Sequence, residues 1–173
     1  APMDGADNPD AVCQRFLDTP ALMERTRTTL QPKQALATDY AGILYVGGHG
    51  TMWDFPDSEG IARLAADIYE AGGIVGAVCH GPAGLVNLKL SNGHFLVEGK
   101  RVAAFTDDEE RAIKLQDVVP FLLASTLQQR GAIHVPAPNW QANVVVDGRL
   151  VTGQNPASAK GVAREMVRLL KQS

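Results

Sequence analysis

The run from Gly73 to Leu85, GIVGAVCHGPAGL, constrains this chain more than any other stretch. Ile74, Val75, Ala77 and Val78 form a short apolar run rich in β-branched residues, the pattern of a strand buried on both faces. It stops at Cys79. His80-Gly81-Pro82, followed by Ala83 and Leu85, reads as a turn leading into the first turn of a helix, with proline near its start. Cys79 is therefore expected at a strand-to-helix corner. Ala77 and Gly81, two positions on either side, supply the small residues that so sharp a corner needs. A thiol at a helix N-terminus feels the positive end of the dipole, which lowers its pKa and favours the thiolate. An inert, buried cysteine at the end of a strand is an equally common use of the same pattern.

The neighbouring segments fix the fold class. Ile43 to Val46 reads as a strand running into Gly47-Gly48-His49-Gly50, and Ile61, Leu64, Ala65 and Ile68 then recur at helical spacing until Gly72-Gly73. Strand, helix and the Ile74 to Val78 strand make a βαβ unit, so the two strands are expected to be parallel. Upstream, Asn8-Pro9-Asp10 starts a short helix with Val12, Cys13, Phe16 and Leu17 on one face, and Thr19-Pro20 starts a second, from about Ala21 to Leu30. No strand is expected before Gly42. Downstream, Phe95-Leu96-Val97 followed by Glu98-Gly99-Lys100 reads as a small hairpin leading to a strand over Val102 to Phe105. Thr106 and Glu109 have the spacing of a capping box, which starts a helix at Asp107. Pro120 opens a helix over Phe121 to Gln129, Ile133 to Val135 is a short strand, and Asp147-Gly148 is a two-residue hairpin turn. Asn155-Pro156 caps a last helix with an apolar stripe of Ala159, Val162, Ala163, Met166, Leu169 and Leu170. Alternation of this kind implies an α/β fold with a mostly parallel sheet covered on both sides.

With 173 residues, 45% of them hydrophobic, the sequence is sized for a single domain spanning residues 1–173. A net charge of -3 carries no footprint for nucleic acid or an anionic membrane. No apolar run reaches membrane-spanning length. Two cysteines, Cys13 and Cys79, make no disulfide framework, so a reducing, cytoplasmic setting fits best. No histidine pair has metal-ligand spacing and no cysteines are paired in sequence, so no metal and no cofactor are expected. Cys13, among apolar neighbours, is expected to be a poorer thiolate than Cys79.

Four stretches coincide: Gly47-Gly48-His49-Gly50 after a strand, Ala77-Val78-Cys79-His80-Gly81-Pro82 at a corner, Phe105-Thr106-Asp107, and Val151-Thr152-Gly153-Gln154-Asn155-Pro156-Ala157-Ser158. Together they resemble the ThiJ/PfpI superfamily, with its class I glutamine amidotransferase-like fold, over the whole chain. The resemblance is strongest to the branch of stress chaperones and glutathione-independent glyoxalases. It implies a flavodoxin-like, doubly wound sheet with a nucleophile elbow. It further implies Cys79 as nucleophile, His80 as its neighbouring base, and the amides of Gly48 and His80 as an oxyanion hole, with His49 and Gly50 completing the oxyanion and substrate-binding loop. The carboxylate that orients His80 is placed at Glu110, with Asp107 as the alternative. In one respect the sequence departs from the pattern: the family's opening strand-helix-strand unit, and the Glu on it that meets the catalytic cysteine, have no counterpart. Pro2-Met3-Asp4 reads as the remnant, and a missing or separate N-terminal segment is expected.

The chemistry implied by the resemblance is conversion of methylglyoxal or a related small dicarbonyl to a hydroxy acid, with deglycase or chaperone activity alongside, in a homodimer. A thiolate beside oxyanion donors attacks an exposed carbonyl, and an adjacent base then moves protons. A cysteine peptidase or amidohydrolase of the same family is the alternative enzyme, and a redox-sensing stress chaperone is the alternative without catalysis. A glutaminase would carry His-x-Glu late in the chain, whereas His134 is followed by Val135-Pro136.

Overall fold

The structure, a computed structural model, describes residues 11–172. The Asn8-Pro9-Asp10 cap and the Pro2-Met3-Asp4 remnant lie outside the described residues. The chain divides into two compact units, Ala1–Gln34 and Ala35–Ser173. In the first, helices α1 (Ala11–Leu17) and α2 (Pro20–Arg27) have no buried residues. Val12 is 76% exposed, and Cys13 is exposed as well, so the apolar setting expected for Cys13 is not observed. Helix α2 stops three residues short of Leu30, where Thr28 leaves helical geometry within a Thr-rich stretch of modest propensity.

The second unit contains β1 (Gly42–Tyr45), α3 (Thr51–Asp54), α4 (Glu59–Glu70), β2 (Ile74–Val78), β3 (Arg101–Val102), α5 (Asp107–Ala112), α6 (Leu123–Gln129), β4 (Ile133–His134), β5 (Val144–Asp147), β6 (Leu150–Gly153) and α7 (Ala159–Leu170). Its main sheet has the order β1-β2-β6-β5. The first three strands are parallel, and β5 joins β6 as an antiparallel hairpin across the Asp147-Gly148 turn. A second, two-stranded sheet pairs β3 with β4 in parallel. This is the α/β architecture that the pattern implied.

Side-chain alternation along β2 divides the interior in two. Val75 and Ala77 point into a large cluster with Tyr45, Ala65, Ala66, Leu85, Phe105 and Leu123. Ile74 and Val78 point the other way, against Val151, Val162 and Met166. Helix α4 covers the first face and α7 the second, which is why all five residues of β2 are buried. Burial of Val162 and Met166 contributes roughly 1.5–3 kcal/mol each. β1 lies at one edge of the sheet, with Leu44 on it and Val46 just after it 40% and 62% exposed.

Three expectations need correction. The small hairpin expected over 95–100 is replaced by an isolated Lys89–Phe95 bridge, and the strand expected over 102–105 by the two-residue β3, which takes β4 as its partner. Ala103 donates its backbone N–H to the Thr152 hydroxyl, and Phe105 donates to the carbonyl of Cys79 at 3.1 Å, so this stretch runs on toward the corner after β2. Helix α6 begins at Leu123, because Leu122 is extended. A 3-10 turn, Pro156–Ser158, precedes α7.

Candidate active site

Three loops at the C-terminal ends of β1 and β2 and the start of α5 converge, in keeping with the tendency of open α/β sheets to carry ligands at the carboxyl ends of their strands. Cys79 is at the corner, with φ of 63°, a left-handed conformation uncommon for a residue with a Cβ. Its amide donates to Gly153 at 2.9 Å and its carbonyl accepts from Phe105, so both neighbours of the corner pin it. Gly81 is required by close approach: a Cβ there would lie 2.1 Å from the carbonyl oxygen of Tyr45. Gly48 adopts φ of 122°, a region that favours glycine. Beyond the corner the chain forms a 3-10 helix, Gly81–Leu85, instead of the expected α-helix. The dipole argument for Cys79 is correspondingly weakened.

The electrostatics reverse the expectation of a depressed thiol pKa. Burial pushes the Cys79 thiol up to about 11, more than the amides of His80 and Gly48, which face the sulfur, bring it down. Burial likewise holds His80 below the usual imidazole range, against the hydrogen bond it donates to Glu110, which pulls it up. The resting pair at neutral pH is therefore a thiol and a neutral imidazole.

His80 is fully buried, and its Nδ1 lies 3.4 Å from Cys79 Sγ while its Nε2 lies 2.8 Å from Glu110 Oε2. A carboxylate accepts, so Nε2–H donates to it and Nδ1 presents a lone pair to the thiol. Glu110 is also buried, and its other oxygen, Oε1, accepts from His49 Nε2 at 2.9 Å. The two imidazoles stand 4.0 Å apart between ring centres, with Phe105 4.3 Å from His80 and Trp140 5.9 Å from Phe105. Asp107, the alternative carboxylate, instead accepts from the hydroxyl and amide of Ser125. Gly50 caps α3, its carbonyl accepting from Trp53 and Asp54. Among the described residues, His49, His80 and Glu110 form a group whose potential ligand atoms all lie within 4.8 Å of one another.

Several supporting residues escaped the sequence reading. Thr51 Oγ1 lies 2.8 Å from the Gly48 carbonyl and 3.1 Å from that of His80, tying the glycine loop to the corner. Glu109 completes the capping box with Thr106 and also accepts from the Trp140 amide and from Asn155 Nδ2, both at 2.9 Å. Burial raises its pKa, but these donors together outweigh that and hold Glu109 below the usual carboxylate range. The capping box was legible; the second use of its carboxylate was not, because Trp140 and Asn155 are remote in sequence.

The sequence matches the DJ-1/PfpI family over residues 23–169. It is 38% identical over 148 residues to the protein named glutathione-independent glyoxalase HSP31 of Saccharomyces cerevisiae, covering 81% of this chain and 62% of that protein. The crystal structure of the Francisella tularensis Rapid Encystment Protein 24 KDa superposes with a TM-score of 0.90 at 36% identity, over 94% of this chain and 72% of that one. Glyoxalase III of Candida albicans superposes with a TM-score of 0.83 at 28% identity, over 90% and 67%. The chain thus spans about three fifths of the length of the curated relatives it matches. With the corner at Cys79, the flavodoxin-like sheet and a match over most of its length, this chain belongs to the DJ-1/PfpI family.

Proposed function

We propose that the chain carries the cysteine site of a glutathione-independent glyoxalase, a lyase that converts methylglyoxal or a related small dicarbonyl to a hydroxy acid without metal or glutathione. The observation that carries the reading is the relay Cys79 Sγ, His80 Nδ1, His80 Nε2, Glu110. The relatives named as glutathione-independent glyoxalases support it.

In this reading the thiol proton passes to His80 Nδ1 as sulfur bonds to the aldehyde carbon, and Glu110 stabilises the imidazolium that forms. The aldehyde oxygen becomes an alkoxide beside the amides of Gly48 and His80, the two donors that face the sulfur. Protonation gives a hemithioacetal. Removal of the proton from that carbon and its return to the adjacent carbon, through an enediol, converts the adduct to a thioester of the hydroxy acid. Water then cleaves the C–S bond, releasing the hydroxy acid and restoring the thiol. A thiol with a raised pKa suits this sequence, since the base is needed at the moment of attack and the resting sulfur is protected from indiscriminate alkylation.

The test is production of lactate from methylglyoxal in the absence of glutathione, by the wild type and by Cys79→Ser. Lactate from the wild type and a loss of at least about a thousandfold in the variant support the reading. Equal rates from both refute it, and hydrolysis of a fluorogenic peptide in place of lactate would assign the same cysteine to a peptidase.

A further inference from the structure

We infer that His49, His80 and Glu110 form a binding site for a zinc-type divalent cation, superimposed on the proton relay. The ligand atoms come from three separate places in the chain, the loop after β1, the corner after β2 and α5, and they lie within 4.8 Å of one another. Two imidazole nitrogens and one carboxylate are a donor set that suits zinc. Both Nε2 atoms are aimed at the same carboxylate, one at each oxygen, at 2.9 and 2.8 Å. Tetrahedral zinc with bonds of about 2.0–2.1 Å holds neighbouring donors about 3.3 Å apart, so each imidazole nitrogen must draw back from the carboxylate by about half an ångström, while the wider separations, bounded at 4.8 Å, must close by at most about 1.5 Å. The ion would face solvent on one side. The His49 side chain is 36% exposed, whereas those of His80 and Glu110 are 0% and 4% exposed, which leaves room for water as a fourth ligand on the His49 side.

Occupancy and base catalysis exclude one another. Zinc takes the lone pair on His80 Nε2, so the ring proton must sit on Nδ1, the atom that otherwise receives the thiol proton. Cys79 is not a ligand in this arrangement, because its sulfur lies on the Nδ1 side of the same ring.

Calorimetric titration of the chelator-treated chain with zinc chloride tests the site by binding alone, so the outcome is independent of whether methylglyoxal is the substrate. One equivalent should bind to the wild type and equally to Cys79→Ser and Cys13→Ser. His49→Gln, whose fold is checked by its thermal transition, should bind at least about tenfold more weakly. Cobalt in place of zinc should give the visible absorption of a low-coordinate nitrogen and oxygen site without a thiolate charge-transfer band. Absence of one-equivalent binding, unchanged binding by His49→Gln, or loss of binding on removing either thiol would overturn the inference.

Discussion

Replacing Glu110 by glutamine removes the one group on which both imidazoles depend. In the native site two Nε2–H donors end on one carboxylate, at 2.8 Å from His80 and 2.9 Å from His49. An amide offers one acceptor oxygen and one donor NH2, so only one imidazole keeps its bond, and the other must give it up or move its proton to Nδ1. Should His80 move its proton, Nδ1–H would point at Cys79 Sγ and there would be no base for the thiol. A charge-assisted hydrogen bond contributes about 1.5–3 kcal/mol. Losing one as the imidazolium develops corresponds to a fall of roughly 10- to 150-fold in kcat/KM, and a wrongly held tautomer deepens it toward about 10⁴-fold. The fall should appear in kcat at saturating methylglyoxal, with the thermal transition recorded in parallel to show that the fold is kept. A variant that folds normally and works within twofold of the wild type would refute the relay, and a loss confined to KM would move Glu110 from the relay to substrate binding.

Alkylation provides an independent reading of the thiol. With its pKa pushed up to about 11 by burial, Cys79 should react with iodoacetamide about tenfold faster per pH unit from 7 to 10, while exposed Cys13 should be labelled ahead of it at pH 7; a plateau for Cys79 near neutrality, seen by peptide mass mapping, would contradict this. Acid should destabilise the fold, because burial lowers the pKa of both His80 and His134, so the unfolded chain binds protons that the folded one does not. The stability is then present above about pH 6.5 and is lost as pH falls below it, which a lower Tm at pH 5 than at pH 7.5 would register and an equal or higher one would refute. The apolar edge at Leu44 and Val46 should be covered in solution by a second copy of the chain, giving a sedimentation mass above 18.5 kDa that Leu44→Lys with Val46→Lys reduces; a monomeric wild type would count against it.

What could be read in advance follows the range of the interactions. β2 and the corner after it were legible because a buried run ending in Cys-His-Gly-Pro is a local pattern, and the Asp147-Gly148 hairpin and the Thr106 capping box are local too. The strand expected over 102–105 is realised only at Val102, since the groups that accept from the next backbone amides, the Thr152 hydroxyl and the Cys79 carbonyl, are distant in sequence and bond it irregularly. The thiol pKa was misjudged for the same reason: proximity to a turn is visible in sequence, whereas the depth at which Cys79 is enclosed depends on the packing of the whole domain. His49 could be placed in a glycine loop, but its sharing of Glu110 with His80 requires three elements to be assembled. No helix of the described residues is long and apolar enough to cross a membrane.

The central claim is that carbon becomes bonded to Cys79 and leaves as a hydroxy acid. Carbon-13 NMR of methylglyoxal labelled at the aldehyde carbon, with the wild-type chain and no glutathione, follows that carbon directly. The account predicts that the label passes into the carboxylate of lactate, that intact mass after rapid quenching shows one adduct per chain, and that peptide mapping places it on Cys79. Both signals should vanish in Cys79→Ser. Lactate appearing at the wild-type rate from Cys79→Ser, or a labelled carbon that never reaches a carboxylate with the wild type, would contradict it.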